Sequence, residues 1–264
     1  MGGNKTYFDW IGQILRNNGM SLLRGAGATL LIAFVSTAVG CLIGFVIGVV
    51  NTIPIEKNGR LAKRVLLRTV RIILGVYIEV FRGTPMMVQA VFIYYGSMAL
   101  FHLNMGMWFS AFFIVSINTG AYMAETVRGG ILSIDAGQTE GAKAIGMTHF
   151  QTMTSVILPQ ALRNIMPQIG NNLIINIKDT SVLSVISVVE LMFTSKGIAG
   201  ANYRYFETYT ITMVMYLIMT LFFSRILRLI EKRMDGRKSY DLATHDTLAY
   251  TSGMFSYEDG GDTR

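Results

Sequence analysis

Four charged residues stand inside strongly apolar stretches of this sequence: Glu79 and Arg82 in one, Lys178 and Asp179 in another. A charge at the centre of a bilayer costs at least about 2.5 kcal/mol on insertion scales, so such residues face a bundle interior with a partner. One arrangement is purely structural. Glu79 and Arg82 lie one helical turn apart and can pair, while Asp179 can form a salt bridge to another helix. The other arrangement is chemical. At 1.5 Å per residue Asp179 lies about 25 Å along a helix from Leu162, and Arg82 a similar distance from Val65, so the two can share a level. A guanidinium and a carboxylate at one level complement a zwitterion, since either charge buried alone is costly. Adjacent helical side chains point about 100° apart, so Lys178 and Asp179 cannot both face such a cavity. One of the two then anchors a subunit contact or reaches toward polar surroundings.

The elements that hold these residues are apolar helices. Of the 264 residues 52% are hydrophobic and 15% charged, with mean hydropathy +0.44. A soluble domain carries about 25% charged residues. This composition specifies an all-α membrane protein. Runs near Ala28–Val50, Ile72–Leu100, Trp108–Thr126, Ile165–Phe193 and Thr208–Phe223 predict about five transmembrane helices. The first run is long for a signal peptide, so a retained span is expected. Gly40, Gly44 and Gly48 place small residues on one of its faces, a pattern that lets helices pack closely in lipid. Asn51–Arg71 carries six cations against Glu56, and a second basic group runs from Arg225 to Lys238. Lys and Arg concentrate in cytoplasmic loops, so both segments are expected inside and the N-terminus outside. The net charge of +7 reflects that orientation rather than nucleic-acid binding. Three regions follow: residues 1–24 as an external or interfacial segment, 25–238 as the membrane domain, and 239–264 as a polar, disordered cytoplasmic tail. Thr194–Glu207 reads as an exterior loop.

Polar interruptions at membrane depth are tolerated where they line an aqueous cavity or are buried in protein. Gly83-Thr84-Pro85 breaks the second span, and Pro167, Gly170, Asn171 and Asn172 interrupt the fourth. Between the third and fourth spans, residues 138–159 are amphipathic and polar-rich. They read as a short helix, a glycine break at Gly146, and a second helix entering hydrocarbon. Small residues Gly141, Ala142 and Ala144 leave room for another protein surface. Lone Cys41 forbids an intramolecular disulfide, and no phosphate-cradling glycine loop, zinc spacing or nucleophile elbow occurs. The chain is therefore a poor candidate for an enzyme.

Glu140-Gly141-Ala142, then Gly146, then Val156-Ile157-Leu158-Pro159 resembles the cytoplasmic coupling loop of ABC importer permeases, with Gly141 and Val156 as small departures. Phe81–Pro85, Asn118–Tyr122 with Glu125, Arg128-Gly129 and Lys178–Ser181 narrow that resemblance to the polar-amino-acid subgroup, over roughly residues 25–235. The resemblance implies a type I importer permease fold with a cytoplasmic coupling helix, in a bacterial cell membrane. It implies ATP and Mg used by a separate ATPase subunit, with no cofactor or metal on this chain. Further partners would be a second permease subunit, identical or different, and an external substrate-binding protein. Substrate contacts are expected from Glu79, Arg82, Thr84, Gln89, Asn118, Tyr122, Asp179 and Ser181. Coupling is expected from Glu140, Gly141, Ala142, Ala144, Gly146 and Met147. Glu125 would position the coupling loop, and Glu190 would hold a gate, receive the binding protein, or be a plain solvated charge. The rival reading is an ion-gradient-driven secondary transporter, which usually shows internal repeats with matched broken helices. No second copy of the Phe81–Pro85 segment is present. A channel or scaffold is the other alternative.

Overall fold

The computed structural model describes residues 6–54 and 61–234. Helix α1 spans Tyr7–Thr52. Its start is fixed by a capping box, with the Thr6 side chain accepting from the Asp9 amide and the Asp9 carboxylate accepting from the Thr6 amide. No proline follows before Thr52, so the helix continues through residues 7–24, which the composition assigned to a separate segment. Ile14 and Leu22 join a buried cluster with Leu173, Ile177 and Ile211. At 1.5 Å per residue α1 is about 69 Å long, against about 40–45 Å for a whole bilayer. Its ends therefore project beyond the membrane.

The expected second crossing is two helices, α2 (Leu61–Gly83) and α3 (Met86–Phe101), separated at Thr84-Pro85. Proline cannot donate a backbone hydrogen bond and disfavours helical angles in the residue before it, so α3 restarts with Pro85 as its N-cap. Helix α4 (Met107–Leu132) packs parallel along α1, the contacts advancing in the same chain direction on both. Gly40, Gly44 and Gly48 meet Thr119, Met123 and Val127, one small residue against one larger at each turn. A Cβ on Gly44 would lie 2.3 Å from the Met123 Cβ and 2.8 Å from the Ala124 backbone nitrogen. This contact needs glycine.

Short helices α5 (Ala136–Ala144) and α6 (His149–Thr152) follow, then a π-helical turn Met153–Ile157 leading into α7 (Leu158–Asp179). A tight 3₁₀ turn, Thr180–Ile186, connects to α8 (Leu191–Asn202) and α9 (Tyr205–Met234). The stretch 194–207, expected as a loop, is thus mostly α8. Its glycines suggested a loop, but Gly197 and Gly200 face open space within a helix whose start Glu190 caps. The polar tail 239–264, like the cations Arg237 and Lys238, lies outside the described residues.

Every regular element among the described residues is helical. Three helices, Tyr7–Thr52, Met107–Leu132 and Tyr205–Arg233, are long and apolar enough to cross a membrane, and a fourth crossing is possible through the bent α7–α8 pair. The sequence predicts about five. The difference arises because Thr84-Pro85 divides one crossing between the basic α2 and the 16-residue α3.

Candidate functional site

The helix break between α2 and α3 opens beside α4 and α7, and a cavity of about 310 Å³ lies there. Helix α4 presents Asn118 and Tyr122, one turn apart, and α7 presents Asn172, Asn176 and Asp179, spaced four and three residues apart. Thr84, from the break itself, completes the polar wall. Of the eight expected substrate contacts, the cavity therefore gathers Thr84, Asn118, Tyr122 and Asp179.

Gln89 has a different position. It is 6% exposed, and its amide nitrogen lies 2.9 Å from the Phe81 carbonyl, the Thr84 carbonyl and the Thr84 hydroxyl. Its amide oxygen accepts from Asn118 Nδ2 at 2.9 Å. Gln89 thereby satisfies carbonyls released by the break, and it fixes Asn118 at the cavity wall. This is the local reason that irregular backbone survives at this depth.

Arg82 does not pair with Glu79, which is exposed. Its guanidinium turns to Glu125 at 3.7 Å and stands 5.6 Å from the centre of the Tyr122 ring. Glu125 simultaneously accepts two hydrogen bonds from Arg128, at 3.2 and 3.1 Å. The expected structural ion pair thus exists with another partner, contributed by α4. Ser181 is the second residue of the 3₁₀ turn, half-buried, outside the cavity wall.

Asp179 is half-buried and Lys178 exposed, as their angular separation requires. Among the described residues Asp179 makes no ion pair within 4 Å, so the interhelical salt bridge is not formed. Its carboxylate is left facing the cavity. Next to it, Asn176 donates to Thr37 at 2.7 Å and to Thr119 at 2.9 Å, tying α7 to α1 and α4. Asn172 donates to the Gln168 carbonyl at 3.0 Å and lies 3.2 Å from the Met123 sulfur. Asn176 and Thr119 were not among the expected contacts. The signal was present as a polar stripe at positions 172, 176 and 179, one face of a helix otherwise rich in Ile and Leu.

Glu190 is not a solvated charge. It is fully buried and caps α8, accepting from the Met192 and Phe193 amides at 2.8 and 2.7 Å. Tyr216 of α9 donates to it at 3.0 Å, and Thr29 of α1 at 3.3 Å. One carboxyl group joins three helices.

The second candidate region is the α5–α6 unit. Asp135 caps α5 by accepting from the Gly137 amide at 2.6 Å. At the other end, Met147 N–H reaches the Ala142 carbonyl at 3.0 Å and Gly146 N–H the Lys143 carbonyl at 2.9 Å. Gly146 has φ +84°. This is a Schellman ending, in which the left-handed residue is glycine for want of a Cβ clash. Glu140, Gly141 and Ala144 are exposed, Met147 is half-buried, and Ala142 is buried. Two large apolar side chains absent from the expected set stand out beside them, Ile145 at 79% and Phe150 at 75% exposure. The capped turn holds this unit rigidly with its apolar tips outward. Gly48 packs on Val127, so α5 emerges at the same end of the molecule as the last turn of α1. Arg71 also sits at that end, donating to the Ile53 and Val50 carbonyls.

Among the described residues no cluster of three His, Cys, Asp or Glu side chains could hold a metal ion. Residues 59–236 match the family described as binding-protein-dependent transport system inner membrane component. The glutamine transport system permease protein GlnP of Escherichia coli (strain K12) is 42% identical over 81% of this chain and 92% of its own. The nopaline transport system permease protein NocM of Agrobacterium fabrum is 34% identical over 83% and 90%. Among solved structures, an amino acid ABC transporter crystallised with histidines superposes with TM-score 0.74 and 36% identity, covering 83% of this chain and 96% of that one. A chain of the inward-facing MetNI methionine ABC transporter, at 20% identity and TM-score 0.67 over 83% and 98%, shares the fold.

Proposed function

This chain belongs to the binding-protein-dependent transport system inner membrane components, and from that premise we propose that its cavity passes polar amino acids inward across a bacterial cell membrane. It is the multi-pass membrane subunit of an ABC importer, and such a subunit works with an ATP-binding subunit and a substrate-binding protein. The observation that carries the substrate reading is the cavity itself. An unpaired carboxylate, carboxamides and hydroxyls converge at a helix break, in a chain whose outer surface is largely apolar. Asp179 would take the ammonium group. Arg82, released from Glu125, would take the carboxylate, and the carboxamides of Asn118 and Asn172 would read polar side-chain groups. The relatives' named substrates, glutamine and nopaline, are polar molecules of this kind.

Orientation follows from charge. The basic start of α2, the basic end of α9 and the α5–α6 unit support a cytoplasmic position for that end of the molecule, with the N-terminus of α1 outside. ATP and Mg would act in the separate ATPase subunit, this chain holding no cofactor and performing no hydrolysis. A second permease subunit, of the same or another sequence, would complete the pathway. Closure of the ATPase pair would push the α5–α6 unit, and the rigid Schellman turn at Gly146 would pass that motion to α4 and α7.

Docking of the α5–α6 unit should rest on apolar burial, because exposed ion pairs contribute only about 0–1 kcal/mol. Burying one large apolar side chain contributes about 1.5–3 kcal/mol. The double change Ile145→Ala with Phe150→Ala is therefore expected to weaken ATPase association at least tenfold, measured by co-purification at graded concentrations. Glu140→Ala should change it severalfold at most. Unaltered association of the Ile145/Phe150 double variant would remove the coupling role from this surface.

A further inference from the structure

Helix α2 carries its cations on one side. At about 100° per residue, Lys63, Arg64, Arg68 and Arg71 fall within an arc of about 140°, and Leu61, Val65, Leu66, Ile72 and Ile73 occupy the arc beside it. Lys63, Arg68 and all five of those apolar side chains are exposed. Ile78 is the one buried residue of α2, and no acidic residue precedes Glu79 in the helix. Arg71 has a separate task. Its contacts to the Val50 and Ile53 carbonyls fix the height of α2 against the end of α1.

That height can be set against the bilayer. The Phe81 carbonyl accepts from Gln89 and Asn118 beside the cavity, and Asn118 lies near the middle of the membrane-spanning α4. From Phe81, at 1.5 Å per residue, Arg71, Arg68 and Lys63 are about 15, 20 and 27 Å down the helix axis. Half the hydrocarbon core is about 15 Å and half the whole bilayer about 20–22 Å. A typical helix tilt of about 20° shortens these heights slightly. The basic arc thus crosses the headgroup layer, while Ile72 and Ile73 at its upper edge meet acyl chains.

We propose that the Lys63–Arg68 face of α2 binds anionic phospholipid headgroups of the leaflet on the coupling side. Charge and depth agree on this occupant. A soluble protein partner that reached Arg71 and Arg68 would have to bury Ile72 and Ile73 beside them, at a level where lipid already covers those side chains. The inference requires only that the chain spans a membrane, and is independent of which solute it carries. Clusters of basic side chains beside a spanning helix are attracted to anionic lipid surfaces by about 1 kcal/mol per charge, close to a fivefold change in occupancy. The attraction falls within a Debye length, so it weakens as salt rises.

The test uses the full chain with its ATPase subunit in nanodiscs of equal phosphatidylglycerol and phosphatidylcholine. After extraction into detergent, the retained lipids are counted by mass spectrometry. The wild type is expected to retain phosphatidylglycerol several-fold over phosphatidylcholine, and Lys63→Gln with Arg68→Gln to lose most of that enrichment. Lys63→Arg with Arg68→Lys should keep it. Added inorganic phosphate should leave it unchanged at constant ionic strength. Equal retention of the two lipids by the wild type would overturn the proposal, as would displacement by inorganic phosphate or undiminished enrichment in the double glutamine variant.

Discussion

Glu190→Ala is expected to lower folding stability by about 3–5 kcal/mol, which should move the thermal midpoint of the purified protein down by roughly 10 °C or more. The carboxyl group is fully buried and receives four donors, two from the start of α8, one from α9 and one from α1. Losing an N-cap alone costs about 0.5–2 kcal/mol. Each buried donor left without an acceptor adds about 1–3 kcal/mol, and the removed side chain leaves a void among tightly packed neighbours. Thr29 partly compensates, since its hydroxyl also accepts from the Leu191 amide at 3.2 Å. Glu190→Gln should fall between wild type and alanine, because one amide oxygen remains to accept while the amide nitrogen faces donors. A midpoint for Glu190→Ala within about 2 °C of wild type would show that this junction does not hold α1, α8 and α9 together.

Asp179→Asn is expected to reduce uptake about ten- to a hundredfold while leaving stability unchanged or slightly raised. The reasoning rests on what Asp179 lacks. It faces the cavity with no ion pair among the described residues, so nothing in the fold loses a partner when its charge is removed. A structural carboxylate would show the opposite pattern, as Glu190 does. If the charge serves an incoming ammonium group, its loss removes a charge-assisted hydrogen bond of about 1.5–3 kcal/mol, one to two powers of ten in transport at low substrate. Uptake by Asp179→Asn at wild-type rates, or a fall in uptake matched by a fall in the thermal midpoint, would remove Asp179 from the solute path.

The two carboxylates also show what the sequence could and could not disclose. Asp179 was legible because its place in a helical stripe, and its angular separation from Lys178, follow from the regular geometry of one helix. The same regular geometry put Gly40, Gly44 and Gly48 on one packing face, whereas Thr84, Asn118 and Tyr122 were expected from the family resemblance and not from spacing. Glu190 was not legible, because its partners Thr29 and Tyr216 come from distant segments. A cap joining three helices has no local spacing. Arg82 shows the same limit: Glu79 was one turn away, yet Glu125 on α4 takes the pair. Loop assignment at 194–207 failed for a related reason, since glycines in a helix held by tertiary packing look like glycines in a turn. The apolar tips Ile145 and Phe150 carry no mark of exposure in the sequence, where they stand beside small and polar residues. Exposure is set by the turn at Gly146.

The measurement that bears most directly on the whole account is uptake of a panel of labelled amino acids into proteoliposomes. The chain would be reconstituted with its ATPase subunit and binding protein, with ATP enclosed and ionophores collapsing every ion gradient. Uptake that requires ATP, the ATPase subunit and the binding protein, and survives the ionophores, is the predicted result. Uptake that proceeds without the ATPase subunit and stops when the gradients are collapsed would contradict it.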